Sequence, residues 1–118
     1  MILYYVYILR CGDDTLYTGI TTDPERRIRE HISGGNKCAR YTRSHPPKRV
    51  EKVFETDSKS AASALEYRIK ELPRKKKEKL IESGRLEDFF AGKLETAEYM
   101  TCDGEFISYL NRIFEAEG

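Results

Sequence analysis

Apolar residues of this chain fall into two rhythms. Residues 2–9 (ILYYVYIL) are β-branched and aromatic almost throughout, residues 15–20 (TLYTGI) repeat that character, and the turn-formers Cys11, Gly12, Asp13 and Asp14 lie between them. The pattern predicts a β-hairpin. Side chains alternate across a strand, which puts Val6 and Ile8 with Leu16 and Ile20 on one face, toward a core, and leaves Tyr5, Tyr7 and Tyr17 on the other. From Pro24 the rhythm becomes helical. Thr22 or Asp23 can cap a helix there, with Glu25 three residues after Thr22 and the Gly34-Gly35 pair as a stop. Ile28 and Ile32 recur at i, i+4 as its buried stripe, and Arg27 and His31 recur beside them at the same spacing.

Residues 31–50 contain no Asp or Glu, yet carry Lys37, Arg40, Arg43, Lys48 and Arg49 with Tyr41 and two histidines, and they read as an irregular basic segment. The Pro46-Pro47 pair halts any helix and extends the chain into a third strand at residues 49–55. Asp57 or Ser58 then caps a second helix running through Leu72, and Pro73 ends it and opens a third that runs to Gly84. Further on, Phe106, Ile107, Leu110, Ile113 and Phe114 form one apolar stripe within residues 103–115. An amphipathic helix there requires an apolar partner surface, on its own domain or on a second copy. The expectation is an α+β fold: a small three-stranded, mostly antiparallel sheet flanked by helices in the order ββαβαα over residues 1–84, with an acidic helical extension over residues 85–118.

Composition narrows the functional classes. Apolar residues make up 39% of the chain and charged residues 35%, in keeping with a single wet-surfaced domain of 118 residues. The longest apolar run, residues 1–9, is too short to span a bilayer and lacks the basic leader and small-residue cleavage site of a secretory signal, so a cytoplasmic protein without a membrane partner is expected. Cys11, Cys38 and Cys102 are odd in number and widely spaced, which supports neither a disulfide framework nor a zinc site. The net charge of +1 conceals an asymmetry. Residues 1–84 carry 18 Lys and Arg against 12 Asp and Glu, whereas residues 85–118 carry 3 against 8. A basic body suits a polyanion such as nucleic acid.

Taken singly, tyrosines in a hairpin, Arg27 and His31 on a helix edge, a helical Glu66 and the run Arg74-Lys75-Lys76-Lys77 all have ordinary structural explanations. Together they form a pattern: Tyr5-Val6-Tyr7, then Tyr17-Thr18-Gly19 ten residues on, then Arg27 ten further and His31 one helical turn later. This set resembles the GIY-YIG nuclease superfamily. The stretch ARYTR at residues 39–43 and AASALEYRIKEL around Glu66 resemble its small single-domain bacterial branch, and the likeness extends over roughly residues 2–82.

The resemblance implies a metal-dependent endonuclease cutting phosphodiester bonds of DNA, with branched, damaged or flapped structures as the expected substrates, as in repair and recombination. It implies Tyr7 as the base that deprotonates the attacking water, Tyr17 as a phosphate-holding or supporting group, Arg27 as a clamp on the non-bridging oxygens, His31 as a group that orients a tyrosine or shuttles its proton, and Glu66 as the ligand of one Mg²⁺ or Mn²⁺ ion. An unperturbed phenol titrates at a pH of about 10, so Tyr7 serves as a base near neutrality only where nearby positive charge, that of Arg27 and the metal, stabilises its phenolate. Arg40, Tyr41, Arg43, Lys75, Lys76 and Lys77 are the expected nucleic-acid contacts. The alternative is a catalytically inactive binding module on the same scaffold, and a homodimer through the C-terminal helix is a further expectation. Two features depart from the family pattern: Tyr5 and Thr18 replace the first motif's glycine and the second motif's central residue, and no asparagine follows Glu66 at a suitable place, since the chain holds only Asn36 and Asn111.

Overall fold

The computed structural model describes residues 1–35 and 37–117, so Asn36 lies outside the described residues. Strand β1 (Tyr4–Cys11) pairs antiparallel with β2 (Leu16–Thr21), and the turn between them carries Asp14 at φ 70°. Helix α1 (Pro24–Ser33) follows, with Asp23 as its cap: the Asp23 carboxylate accepts the Arg26 N–H at 3.1 Å. Of the two candidate caps it is thus Asp23 and not Thr22 that serves, and Glu25 accepts a hydrogen bond from Tyr109. Gly34 ends α1 in the left-handed conformation, φ 67°, which glycine adopts without a Cβ penalty.

The basic segment expected to be irregular contains a short helix, α2 (Arg40–Ser44), entered from Ala39 without a side-chain cap. Strand β3 (Pro47–Thr56) starts two residues earlier than the sequence pattern suggests, and it lies between β1 and a fourth strand, β4 (Met100–Thr101). The sheet order is β2-β1-β3-β4, with every pairing antiparallel. Ser58, not Asp57, caps α3 (Lys59–Glu71), and Pro73 separates it from α4 (Arg74–Ser83), which ends at Gly84 with φ 68°. The short α5 (Glu87–Phe90) and the long α6 (Gly104–Glu117) complete the chain. The fold is α+β as expected; the fourth strand is an addition, contributed by the C-terminal segment.

Helices cover both sheet faces. Val6, Ile8 and Phe54 pack with Ala62, Leu65 and Ile69 of α3, Leu80 of α4 and Phe90 of α5. Tyr7, Leu9, Val50 and Val53 pack on the other face with Ile28 of α1 and Leu110 and Ile113 of α6. The tyrosine face is thus itself a core. The apolar stripe of α6 is buried against α1 and β3 of its own chain, so the homodimer expected through that stripe is not supported. Tyr5, where the first motif has glycine in the family pattern, is part of the seat for α6, its ring centroid 6.3 Å from that of Phe106. Polar contacts lock the same interface: Tyr109 donates to Glu25 at 2.8 Å, and Arg29 pairs with Glu117 at 3.3 Å.

Asn111 of α6 performs the work of a strand. Its Oδ1 accepts the Val50 N–H at 2.7 Å and its Nδ2 donates to the Val50 carbonyl at 3.0 Å, where β3 runs beyond the reach of the two-residue β4. Buried backbone groups need such partners. At the far end of β1, the nearly buried Arg10 reaches Asp14 at 2.8 Å, Glu78 at 2.6 Å and Glu51, tying the hairpin to β3 and α4. The Arg10 guanidinium and then Arg74 hold the Glu78 carboxyl down to about 2.

Candidate active site

The centre of the site is Tyr7, whose position is dictated by its cross-strand neighbour. Tyr7 faces Gly19 in the β1–β2 register, and a Cβ at Gly19 would fall 2.5 Å from Tyr7 Oη and 2.7 Å from Cζ. The glycine of the Tyr17-Thr18-Gly19 motif is therefore required for space, letting the Tyr7 ring lie across β2. From there its hydroxyl meets Nε2 of His31 at 2.7 Å, with both side chains buried. His31 sits one turn beyond Arg27 on α1, and its ring stands edge-on to both Tyr7 and Tyr17, with centroids 5.7 and 5.4 Å away.

Behind His31, Nδ1 lies 2.7 Å from Oγ1 of Thr42, which is itself buried and in contact with the Cys38 thiol at 3.0 Å. Thr42 lies within the ARYTR stretch, where the charged and aromatic residues carry the sequence signal, and nothing in the sequence marks Cys38. In front, Tyr17 stacks on Tyr41 at 5.8 Å, and Tyr41 stacks on His45 at 4.2 Å. His45 in turn contacts Asp13 of the hairpin turn at 2.6 Å. The five-residue α2 is thus clasped to the sheet margin from both sides. Tyr41 packs the segment down and still leaves over a third of its surface exposed.

Electrostatics fix the resting protonation states. Burial pushes the Tyr7 phenol well above its usual value, Tyr17 adds to the rise, and Arg27 opposes it without overcoming it. Arg27 by itself therefore does not bring the Tyr7 phenol down toward neutrality, because desolvation outweighs the cation. Burial also lowers His31, from 6.5 to about 4, assisted by Arg27. At neutral pH the pair is an uncharged phenol against an uncharged imidazole. Arg27 is held by Glu30 at 2.9 Å and by the carbonyl of Lys37.

Glu66 enters from the other layer. It lies on α3, which packs near the edge strand β2, and its charge raises the Tyr7 phenol slightly further. About a quarter of its side chain is open, with Lys70 as a loose ion partner at 3.5 Å. Among the described residues no group of three or more His, Cys, Asp and Glu gathers to hold a metal. One accessible carboxylate suits a hard cation that keeps its waters and shares substrate oxygens; it does not suit zinc, which takes several nitrogen or sulfur ligands.

The expected nucleic-acid contacts divide into two sets. Arg40, Tyr41 and Arg43 lie on α2 beside Tyr17, exposed, although Arg43 also donates to the Gly35 carbonyl at 3.3 Å. Lys75 and Lys76 are exposed and Lys77 half-buried on α4. No hydrogen bond or ion pair among the described residues links those lysines to the Tyr7 group. Asn111, engaged with Val50, does not substitute for the missing asparagine. Among the described residues no helix is long and apolar enough to cross a membrane.

Comparison with known proteins gives consistent results. Residues 3–79 match the family model of the GIY-YIG catalytic domain. The chain is 50% identical over 78 residues to a UPF0213 protein of Natronomonas pharaonis, an overlap of 66% of this chain and 89% of that protein. It is 52% identical over 79 residues to a UPF0213 protein of Oceanobacillus iheyensis, covering 67% and 90%. Among solved structures, the solution NMR structure of the UPF0213 protein BH0048 from Bacillus halodurans is 48% identical, covers 68% of this chain and 83% of its own, and superposes with a TM-score of 0.45.

Proposed function

Because this chain belongs to the GIY-YIG catalytic-domain family, we propose that it is a metal-dependent endonuclease of the cytoplasm that hydrolyses phosphodiester bonds in DNA, selects substrates by structure, and serves repair or recombination. The observation that carries the reading is the buried 2.7 Å contact between Tyr7 and His31, set beside Tyr17 and Arg27. Contacts from a basic segment of this kind fall mostly on the phosphate backbone and carry little sequence information, which suits selection of branched or flapped DNA by structure.

In this reading Tyr7 takes a proton from the attacking water as it passes its own to Nε2 of His31. The exchange removes the need for a free phenolate, which burial disfavours. His31 rests uncharged at neutral pH and so has a ring lone pair free for that proton, and its burial makes the transfer transient, with the proton returning to Tyr7. Arg27 clamps the non-bridging phosphate oxygens through its planar fork, and Tyr17 holds the phosphate beside it. Glu66 would hold one Mg²⁺ or Mn²⁺ ion, which supplies charge neutralisation at the phosphoryl oxygens and the leaving oxygen. Arg40, Tyr41 and Arg43 bind the strand next to the scissile bond, and Lys75, Lys76 and Lys77 add sequence-independent attraction for the backbone.

The test is a labelled panel of duplex, single-stranded, flapped and branched DNA incubated with Mg²⁺, Mn²⁺ or EDTA. Tyr17→Phe, Arg27→Ala and Glu66→Ala variants of verified fold are run alongside. Cleavage that requires the cation and disappears in all three variants supports the proposal and ranks the substrates. Salt-dependent binding without cutting under any condition, indifferent to Glu66, instead identifies an inactive nucleic-acid-binding module.

A further inference from the structure

Resting on the Tyr7–His31 reading above, we propose that Thr42 is a positioning residue: it accepts the Nδ1 proton of His31, so that the Nε2 lone pair is presented to the hydroxyl of Tyr7. Two independent arguments of proton placement lead there. The first starts at Thr42, the third residue of α2, whose hydroxyl donates back to the Ala39 carbonyl at 3.1 Å, a bond that threonine makes readily inside a helix. A hydroxyl has one proton to give. With that proton on Ala39, the 2.7 Å contact to His31 Nδ1 requires the ring to be the donor.

The second argument starts at the other end. Tyr7 is buried and holds its proton, and a buried O–H requires an acceptor. Among the described residues the only acceptor it meets is His31 Nε2 at 2.7 Å; Arg27, which also approaches the hydroxyl, can only donate. If Nε2 carried the proton, the phenol's own hydrogen would be stranded. Both arguments select the same neutral tautomer, protonated on Nδ1 and open on Nε2.

The consequence reaches the proposed chemistry. When Nε2 takes up the proton from Tyr7, the ring becomes a cation with two donors, and Thr42 already accepts the second of them. Ala39, Thr42, His31 and Tyr7 thus form one polarised line running from the backbone of α2 to the reacting hydroxyl. The Cys38 thiol packs 3.0 Å from Thr42 Oγ1, within reach of the His31 and Ala39 carbonyls, and helps to fix the hydroxyl in place. Thr42 touches no substrate in this scheme and acts only through His31.

Imidazole ¹⁵N–¹H NMR on the full chain near neutral pH tests the assignment without requiring any cleavage. The expected spectrum shows the His31 proton coupled to Nδ1, hydrogen-bonded and slowly exchanging, with Nε2 unprotonated. Thr42→Val, close in shape but lacking the hydroxyl, is expected to lose the protection of that proton, and Thr42→Ser to keep it. In single-turnover cleavage of whichever substrate the panel identifies, Thr42→Val should lose at least about tenfold in rate with affinity unchanged, and Thr42→Ser should remain close to the parent. A proton found on Nε2 in the parent protein, or an Nδ1 proton unaffected by Thr42→Val, overturns the proposal. Should no substrate be cut, the nuclease reading fails on its own, and the tautomer measurement still decides the role of Thr42. Should Thr42→Val fail to fold, the parent spectrum and Thr42→Ser carry the decision.

Discussion

Lowering the pH from 7 to 5 should cost the folded protein about 2 kcal/mol through His31 alone. The ring is buried and neutral in the native state, where it takes a proton only near pH 4, whereas in the unfolded chain it takes one near its ordinary 6.5. Between those values the unfolded state binds more protons, so stability falls as the pH falls through 6.5 and levels off below about 4. The full separation is worth about 3 kcal/mol, and about two thirds of it is lost by pH 5. Carboxylates held down by arginine, such as Glu78 at about 2, act in the opposite part of the scale: their stabilisation is present above about 4.5 and disappears as the pH drops toward 2. The interval from 7 to 5 therefore separates the histidine from those carboxylates, and the comparison with His31→Gln removes the contribution of His45. Urea denaturation at pH 7.0, 6.0 and 5.0, on the parent and on His31→Gln, is the assay. The parent should lose about 2 kcal/mol more than the variant across that range, and an NMR titration should place the His31 midpoint near 4. Equal slopes in the two proteins, or a His31 midpoint above 6, would refute the claim that burial sets its charge.

Gly19→Ala should destabilise by about 1–3 kcal/mol, because its new Cβ would press on the Tyr7 hydroxyl and ring and on the Tyr17 ring, and an NMR spectrum should show the Tyr7–His31 contact broken. Thr56→Val should be neutral or stabilising by up to about 1 kcal/mol in thermal or urea unfolding, since the Thr56 hydroxyl is buried without a partner among the described residues. Asn111→Ala should cost about 1–3 kcal/mol and abolish the hydrogen-exchange protection of the Val50 amide, whereas a surface substitution on the same helix leaves that amide protected. Arg10→Met should cost about 2–3 kcal/mol by urea denaturation, less than a fully buried pair would, because Glu78 and Asp14 remain open to water while Glu51 does not.

What the sequence made legible was what periodicity and punctuation can encode. The alternation of Val6, Ile8, Leu16 and Ile20 against Tyr5, Tyr7 and Tyr17 assigns both hairpin faces as the structure has them, and Asp23, Pro24 and Gly34 bracket α1. The stripe of α6 is equally plain, but a stripe does not name its partner, and only the structure shows α1 and β3 receiving it. Helix α2 escaped notice because five residues are too few for a period and Ala39 offers no capping side chain. With it went Thr42, whose importance derives from a contact eleven residues away. Strand β4, two residues long, carries no pattern at all. Asn111 looked like one more polar residue on a helix, since nothing local announces a hydrogen bond across 61 positions.

That span sets a schedule for synthesis. As the chain leaves the ribosome at about 5–20 residues per second, Val50 waits about 3–12 s for the asparagine that closes its backbone edge. Throughout that interval the nascent polypeptide carries a bare strand margin beside an uncovered trough of Tyr5, Leu9 and Val53. Such a surface is what chaperones bind and what neighbouring nascent chains can pair with. Completing the last helix thus ends a period of vulnerability during translation, and a ribosome stalled before residue 111 would release a product prone to aggregation.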